Sequence, residues 1–220
     1  MRAAVIILAA GSGKRFNSKT PKQFLKLKNK PVFLWSVLAF KKIKAFKQVI
    51  LVVPRNKLKS LLPVAKKYSL DIIAGGKQRY NSVSKGLKTI NGNIDCIAIH
   101  DAARPLIKTK TIIKGLKAAN KYGASIIAVK AKDTVKSAGS SLLIKNTIPR
   151  DMVWFAQTPQ IFKAPVIMKA YSKLKSKNIT DDAQAIEQMG KKVKIVEGEQ
   201  TNIKITETSD LKIAKTFLEI

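Results

Sequence analysis

The chain has 220 residues, 45% of them apolar, which is enough for one sizeable core and favours a single domain. Its one cysteine, Cys96, excludes an intrachain disulfide framework and a zinc site built from cysteines. The formal net charge of +30 comes from lysines spread over the whole chain, which favours a solvated cationic surface over a dedicated nucleic-acid-binding patch.

The first predicted element is a strand, AAVIIL, which begins at Ala3. Its apolar run ends at the glycine-rich stretch 11–15, too early for a signal peptide or a membrane span. We therefore expect a cytoplasmic protein that does not associate with a membrane.

Strand-like and helix-like segments then alternate along the chain. The predicted strands are short and apolar on both faces. After AAVIIL they are QVILVV, DIIAGG, CIAIH and ASIIAV. The predicted helices between them are PVFLWSVLAFKKIKAF, a lysine-rich segment ending near Tyr68, RYNSVSKGLKTI and TKTIIKGLKAANKYG. This alternation predicts an α/β, Rossmann-like fold: a mostly parallel twisted sheet with helices on both faces.

The alternation stops after Lys132. The segment DTVKSAGSSLLIKNTIPR contains two short β-like runs around a turn at 138–141, which predicts a projecting β-hairpin arm. Helical patterns return in KAPVIMKAYSKLKSK and DDAQAIEQMG, and the chain closes with a predicted strand, KVKIVEG, and a predicted helix, SDLKIAKTFLEI.

Four polar loops follow predicted strands: AAGSGKR, AGGKQR, HDAARP and VKAKDT. Because the carboxyl ends of parallel strands meet at one edge of a sheet, these loops predict a ligand site there. The first loop lacks the spacing and the hydroxyl of a P-loop, and it lacks the third glycine of a dinucleotide fingerprint. Its glycines and cations still suit a phosphate, although a glycine-rich turn with surface cations is the alternative.

Longer motifs carry a family resemblance. The stretch LAAGSGKRFNSKTPKQFL resembles nucleotidyltransferases that join a nucleoside triphosphate to a sugar or polyol phosphate. Six further motifs follow it in this order: GGKQRYNSVSKGL, IHDAARP, KDTVK, RDMVWFAQTPQIF, TDDAQAIE and EGEQTNIKIT. With all of these motifs, the chain resembles the 2-C-methyl-D-erythritol 4-phosphate cytidylyltransferases of the non-mevalonate isoprenoid pathway. The resemblance runs from about Ala3 to Leu218. A ribitol-5-phosphate cytidylyltransferase and, more remotely, a nucleic-acid-binding module are the competing interpretations.

The resemblance implies that the phosphate of methylerythritol phosphate attacks the α-phosphorus of CTP and releases pyrophosphate, without a protein nucleophile. It implies that Arg15 and Lys22 stabilise charge on the triphosphate, and that Arg150 and Lys204 orient the attacking phosphate. The residues expected at the nucleotide are Ala9, Ala10, Gly11, Gly13, Gly76, Lys77, Ser82, Asp101 and Ala102. Those expected at the polyol phosphate are Asp101, Arg104, Thr134, Arg150, Thr180 and Lys204.

The resemblance also implies a divalent metal, Mg²⁺, and a homodimer. Asp101 is the carboxylate expected nearest the metal, although it could instead bind polyol or ribose hydroxyls. The whole of 1–220 is expected to form one nucleotidyltransferase domain, with an arm at about 132–152 that carries Thr134 and Arg150 across the dimer interface. No specific nucleic acid is expected as a partner.

Three residues keep a second interpretation. Lys77 stands where many family members have an acidic residue, so a side-chain contact with cytosine is in doubt there, whereas a backbone contact is not. Thr180 could serve only as the N-cap of the helix that follows it. His100, the single histidine, is expected to be structural rather than a base.

Overall fold

The computed structural model describes residues 1–11, 16, 20–174 and 178–218. Seven strands of the described residues form one sheet in the order β11-β7-β10-β6-β1-β4-β5. Their bounds are β1 Ala3–Leu8, β4 Phe46–Val53, β5 Asp71–Ala74, β6 Cys96–Asp101, β7 Ala124–Lys130, β10 Trp154–Lys163 and β11 Lys194–Glu197. Two smaller two-stranded sheets pair β2 Lys26–Leu27 with β3 Lys30–Pro31, and β8 Val135–Ala138 with β9 Ile144–Ile148.

The helices lie on both faces of this sheet, as the sequence predicts. Their bounds are α1 Val32–Lys41, α2 Leu58–Tyr68, α3 Arg79–Thr89, α4 Thr109–Tyr122, α5 Ala164–Ser172, α6 Ala183–Glu187 and α7 Thr208–Phe217. In β1, Val5 and Ile7 belong to the core under α1, α2 and α4, whereas Ala4 and Ile6 belong to the core under α3 and α5. A strand buried on both faces is therefore apolar at every position rather than at alternate ones.

One central strand was not predicted. β10 runs antiparallel to both of its neighbours, β6 and β7, and its register shifts between Ala156 and Gln160. Its sequence, WFAQTPQIFK, has polar side chains and a proline in the middle, which are atypical of a central strand. Gln157, Thr158 and Gln160 are nevertheless buried, each at most 6% exposed, and their polar groups are paired: Gln157 with Asn202, Thr158 with His100, and Gln160 with Asp181.

Some predicted boundaries are wrong. The first helix ends at Lys41 and not near Phe46, because Phe46 already begins β4. The helix expected in 181–190 is only five residues long, Ala183–Glu187. The helix that follows Lys163 ends at Ser172. The apolar periodicity of the sequence continues beyond these helix boundaries, so it does not indicate where each helix begins or ends.

The predicted hairpin is present as β8 and β9, whose strands pair antiparallel. Its turn lies at 139–142, one residue later than predicted, and Leu142 adopts a left-handed conformation with φ of 59°. Apolar side chains stand in solvent at its tip, where Leu142 is 86% exposed and Leu143 is 72% exposed. Among the described helices, none is long and apolar enough to cross a bilayer, and the cytoplasmic location stays a prediction.

Candidate active site

A cleft of about 480 Å³ opens at the carboxyl edge of β1, β5 and β6. The loops after these three strands meet there, together with the segment before β2 and the one before α7. The residues lining it are Leu8, Ala10, Gly11, Lys22, Gln23, Gly76, Lys77, Gln78, Arg79, Ser82, Asp101, Ala103 and Lys204. The loop after β7, which contains Asp133, does not contribute a lining residue.

The loop after β1 is held from below by Gln23. This side chain is 3% exposed, and its Nε2 donates to the carbonyl oxygens of Ala9 at 2.7 Å and Gly11 at 2.8 Å. The backbone N–H of Ala9 is already donated to Val52 of β4 at 2.7 Å. Ala10 and Gly11 therefore present this loop to the cleft, whereas Ala9 supports it. The motif that contains Gln23 does not by itself indicate this role.

Two expected members of this loop, Gly13 and Arg15, lie outside the described residues. Lys22, at the start of the short 3₁₀ turn Lys22–Phe24, lines the cleft as expected. Ala102 is fully buried, and its backbone N–H donates to Leu8 at 3.1 Å, so it too supports the cleft from within.

The loop after β5 lies so close to the loop after β1 that only glycine fits at position 75. A Cβ on Gly75 would collide with the side chain of Ala10, and one on Gly76 would collide with Asn81. The buried hydroxyl of Ser82 accepts a hydrogen bond from the N–H of Gly76 at 3.0 Å. Ser82 thus orients the loop, while Lys77 is exposed on the rim of the cleft.

Asp101 is the central acid of the cleft. Its carboxylate is 13% exposed, lies 2.7 Å from Nζ of Lys204 and 3.8 Å from Nε of Arg79. Burial alone would raise the pKa of Asp101, but Lys204 and Arg79 hold that pKa well below its usual range. The carboxylate is therefore charged at neutral pH, and Lys204 neutralises it.

Arg79 was missed as a site residue. It begins α3 and lines the cleft, where its guanidinium donates to both carboxylate oxygens of Asp182, at 2.9 and 2.6 Å. Burial alone would lower the pKa of Arg79, but the charge of Asp182 and these two bonds raise it above its usual value. Arginine is rare in this lysine-rich chain, with six in 220 residues, and that rarity is the signal in the sequence that could have indicated Arg79.

His100 lies beneath Asp101 and is fully buried. Its Nδ1 is 3.1 Å from Oγ1 of Thr158, and its Nε2 is 3.2 Å from the carbonyl oxygen of Arg104. Burial lowers the pKa of His100 to about 4, so the ring is neutral at pH 7. Since the N–H of Asp101 also donates to Thr158, at 3.0 Å, this arrangement suits the expected structural role.

Four expected polyol-phosphate residues do not line the cleft. Arg104 is turned toward the backbone of Asn202, where its Nη1 donates to the carbonyl oxygen at 2.8 Å. Arg150 donates to the carbonyl oxygen of Lys132 at 3.1 Å, at the base of the arm, and Thr134 is exposed nearby. Thr180 is also exposed, above α6.

The N-cap interpretation of Thr180 is wrong. Its hydroxyl donates to the side chain of Gln184 at 3.3 Å instead of accepting from the backbone. The backbone N–H of Gln184 donates to Oδ1 of Asp181 at 3.0 Å. Asp181 therefore supplies the capping acceptor, which leaves Thr180 available for another role.

A metal ion would find few protein ligands here. Within the described ranges, no three His, Cys, Asp or Glu side chains are grouped so that they could hold a metal. Asp101 is the acidic residue among those lining the cleft, and Asp182 is committed to Arg79. This donor set fits Mg²⁺ that keeps its waters and is held by one carboxylate and substrate phosphates, and it does not fit an all-protein cage.

The fold and the cleft together define a class. A Rossmann-like sheet carries a cationic cleft at its carboxyl edge. Lys22, Arg79 and Lys204 line it, and Arg79 and Lys204 lie beside the carboxylate of Asp101. Such a site can position and neutralise phosphate groups, as a nucleotide-dependent transferase requires.

Comparisons with known proteins name the family. The profile of the 2-C-methyl-D-erythritol 4-phosphate cytidylyltransferases matches residues 3–220. The chain is 46% identical to the cytidylyltransferase of that name from Endomicrobium trichonymphae over 100% of both chains, and 38% identical to one from Clostridium botulinum over 98% of this chain and 97% of the relative. The chain therefore belongs to this family of CTP-dependent nucleotidyltransferases, as its motifs predict.

Solved structures agree with this assignment. The crystal structure of 4-diphosphocytidyl-2C-methyl-D-erythritol synthase from Anaerococcus prevotii superposes with a TM-score of 0.85 at 32% identity, over 100% of this chain and 99% of that one. A 2-C-methyl-D-erythritol 4-phosphate cytidylyltransferase from Thermus thermophilus gives a TM-score of 0.84 at 28% identity, over 100% of both. The predicted Rossmann-like fold is confirmed.

Proposed function

We propose that the cleft is the active site in which this chain joins CTP to 2-C-methyl-D-erythritol 4-phosphate. A phosphate oxygen of the polyol attacks the α-phosphorus of CTP, the bond to the β-phosphate breaks, and pyrophosphate leaves. The products are 4-diphosphocytidyl-2-C-methyl-D-erythritol and pyrophosphate, an early step of isoprenoid precursor biosynthesis. The observation that carries this assignment is the cationic cleft at the edge of the sheet, where Lys22 lines the cavity and Lys204 lies 2.7 Å from Asp101.

The nucleotide is assigned to the loops after β1 and β5. Ala10 and Gly11 offer backbone groups on one side, and Gly76 and Lys77 offer them on the other. Gln23 donates to Gly11 and Gly76 donates to Ser82, so we expect these two segments to need little ordering when CTP binds. Cytosine is then read by the backbone at 76–77, which tolerates a lysine at position 77.

Charge stabilisation is assigned to cations on two sides. Lys22 would neutralise the charge that grows on the triphosphate in the transition state, together with Arg15, which the family resemblance supplies. Lys204 would orient the attacking phosphate, since it already stands at 2.7 Å from Asp101 and can exchange that partner for a phosphate oxygen. Both substrates are polyanions, so the cations also offset their mutual repulsion.

Mg²⁺ is proposed as the cofactor, with Asp101 as its protein ligand. When bound, the metal would supply positive charge that offsets the charge of the triphosphate and of the leaving pyrophosphate. Asp101 can serve it because the carboxylate is charged and partly exposed.

The arm is proposed to complete the polyol-phosphate site of a second copy in a homodimer. Two observations support this: the exposed apolar tip formed by Leu142 and Leu143, and the exposure of Thr134 at the base of the arm. A lone two-stranded hairpin is marginally stable in water, so burial against a partner would stabilise it. Arg150 would then reach the partner's cleft.

A pyrophosphate-release assay tests the assignment. CTP is supplied with methylerythritol phosphate or with ribitol 5-phosphate, with and without Mg²⁺. We expect release only with CTP, Mg²⁺ and methylerythritol phosphate. Faster turnover of ribitol phosphate would replace the proposed polyol, and no release with either would overturn the assignment.

A further inference from the structure

A second acid lies behind Asp101, and one guanidinium joins the two. Arg79 forms a bidentate pair with Asp182 at 2.9 and 2.6 Å, while its Nε lies 3.8 Å from Oδ1 of Asp101. Asp182 itself is 0% exposed. The series Asp182–Arg79–Asp101 therefore runs from the interior into the cleft.

Asp182 is saturated with hydrogen bonds. Besides Arg79, the hydroxyl of Tyr171 donates to its Oδ1 at 2.6 Å, and its backbone N–H donates to Oε1 of Gln160 at 2.8 Å. A fully buried carboxylate is costly unless it is paired and hydrogen-bonded in this way. The position of the guanidinium is consequently determined from the interior, by groups that do not contact substrate.

The network connects three separate segments of the chain. Arg79 directly follows the loop that contains Gly76 and Lys77, which the proposed function assigns to the nucleotide. Asp182 lies two residues after Thr180, which that function assigns to the polyol phosphate. Asp101 ends β6 between them. One side chain thus holds the nucleotide loop, the polyol loop and the central acid in a common arrangement.

Only arginine can make these contacts together. Its Nη1 and Nη2 donate to Asp182 in a planar fork, while its Nε lies 3.8 Å from Asp101. A lysine ammonium is a single point charge, so at the same position it could neutralise one acid but could not align both.

We propose that Arg79 is a positioning residue that couples the two substrate loops through its contacts with Asp182 and Asp101. It acts through these two acids and not by contact with reacting atoms. Loss of the fork would release both loops, so binding of each substrate would weaken even though neither loses a direct contact. This inference rests on the proposed function of the cleft.

The test uses the full chain with the substitution Arg79→Lys. We expect kcat/KM to fall by roughly 10-fold to 10²-fold, with KM rising for both CTP and methylerythritol phosphate. Asp182→Asn should give the same pattern, and Arg79→Lys combined with Asp182→Asn should cost less than the sum of the two, because both remove one interaction. Arg55→Lys, at an exposed arginine outside the cleft, is the matched control and should leave both KM values unchanged.

The outcomes are distinguishable. Wild-type KM values for both substrates in Arg79→Lys, or a rise confined to one substrate, would overturn the coupling, as would fully additive effects in the double variant. If Asp182→Asn does not fold, Tyr171→Phe removes one bond to Asp182 and leaves Arg79 in place, and it should show a smaller rise of both KM values. Failure of the proposed function would appear differently, as absence of pyrophosphate release by the wild-type chain.

Discussion

The expected site residues form two groups, one that lines the cleft of a single chain and one that lies exposed outside that cleft. The cleft residues, Ala10, Gly76, Ser82, Asp101 and Lys204, meet around a single cavity. Gly76 and Ser82 are joined by a hydrogen bond, and Asp101 and Lys204 by an ion pair. The peripheral residues, Thr134, Arg150 and Thr180, are exposed and do not line that cavity. The sheet builds the first group, whereas the arm and the loop before α6 carry the second. The difference supports the proposal that a second copy completes the polyol-phosphate site.

The largest expected effect is on the cleft side. Lys22→Ala should lower kcat by about 10²-fold or more, because it removes a charge that matters most in the transition state. Steady-state pyrophosphate release measures this, with Lys26→Ala, at an exposed lysine of the same segment, as control. An unchanged kcat would remove Lys22 from its proposed role.

Mixing two impaired variants tests whether the peripheral residues serve the partner's cleft. With methylerythritol phosphate well below its KM, Lys22→Ala and Arg150→Ala dimers should each have low activity, and heterodimers should contain one intact cleft of two. Random exchange makes half of the dimers heterodimeric, so we expect activity to recover to about a quarter of wild type. Each variant mixed with itself is the control. No recovery, with exchange verified by differently tagged chains, would show that each cleft uses only its own chain.

A smaller effect separates the two substrates. Lys204→Ser and Arg150→Ala should raise KM for methylerythritol phosphate by roughly 10-fold, because each removes one charged contact with its phosphate. The KM for CTP should change by less. If CTP binding were the parameter that weakened, with KM for the polyol phosphate unchanged, the division of the site would be wrong.

The smallest expected effect concerns the rigidity of the sheet beneath the cleft. Cys96 in β6 is fully buried, and burial raises the pKa of its thiol to about 11, with Asp95 adding to the shift. Both the low thiolate fraction at pH 8 and the lack of access predict very slow alkylation of the folded chain. Alkylation should become fast only in denaturant, and kcat should survive incubation with iodoacetamide. Rapid native labelling would show that this half of the site opens readily.

The central strands could be predicted because their sequence pattern is local. AAVIIL, QVILVV and CIAIH are apolar at successive positions, and this is enough to identify strands covered on both faces. β10 could not be found this way. Its polar middle is satisfied by partners distant in sequence, such as the side chain of Asn202, which donates from Nδ2 to Gln157 at 2.8 Å. Only the folded chain shows that these groups are paired.

The residues of the cleft also divide into those that the local sequence predicts and those that depend on partners distant in sequence. Loops after parallel strands converge by geometry, so Ala10, Gly76 and Asp101 could be placed at one edge from their order alone. The Arg79–Asp182 pair joins residues 103 positions apart, and no local pattern announces it. Gln23, likewise, acts through backbone carbonyl groups whose direction the sequence does not state.

By itself, the sequence determined the family, the alternation of strands and helices, and three of the four loops that it predicted at the cleft, because each depends on residues close together in the chain. The tertiary structure decided which charges meet: that Lys204 neutralises Asp101, that a buried acid orients Arg79, and that Thr134, Arg150 and Thr180 do not line the cleft of one chain. Ion pairs act over a few ångströms in space whatever the distance along the chain. Their partners are therefore set by the packing of the whole fold.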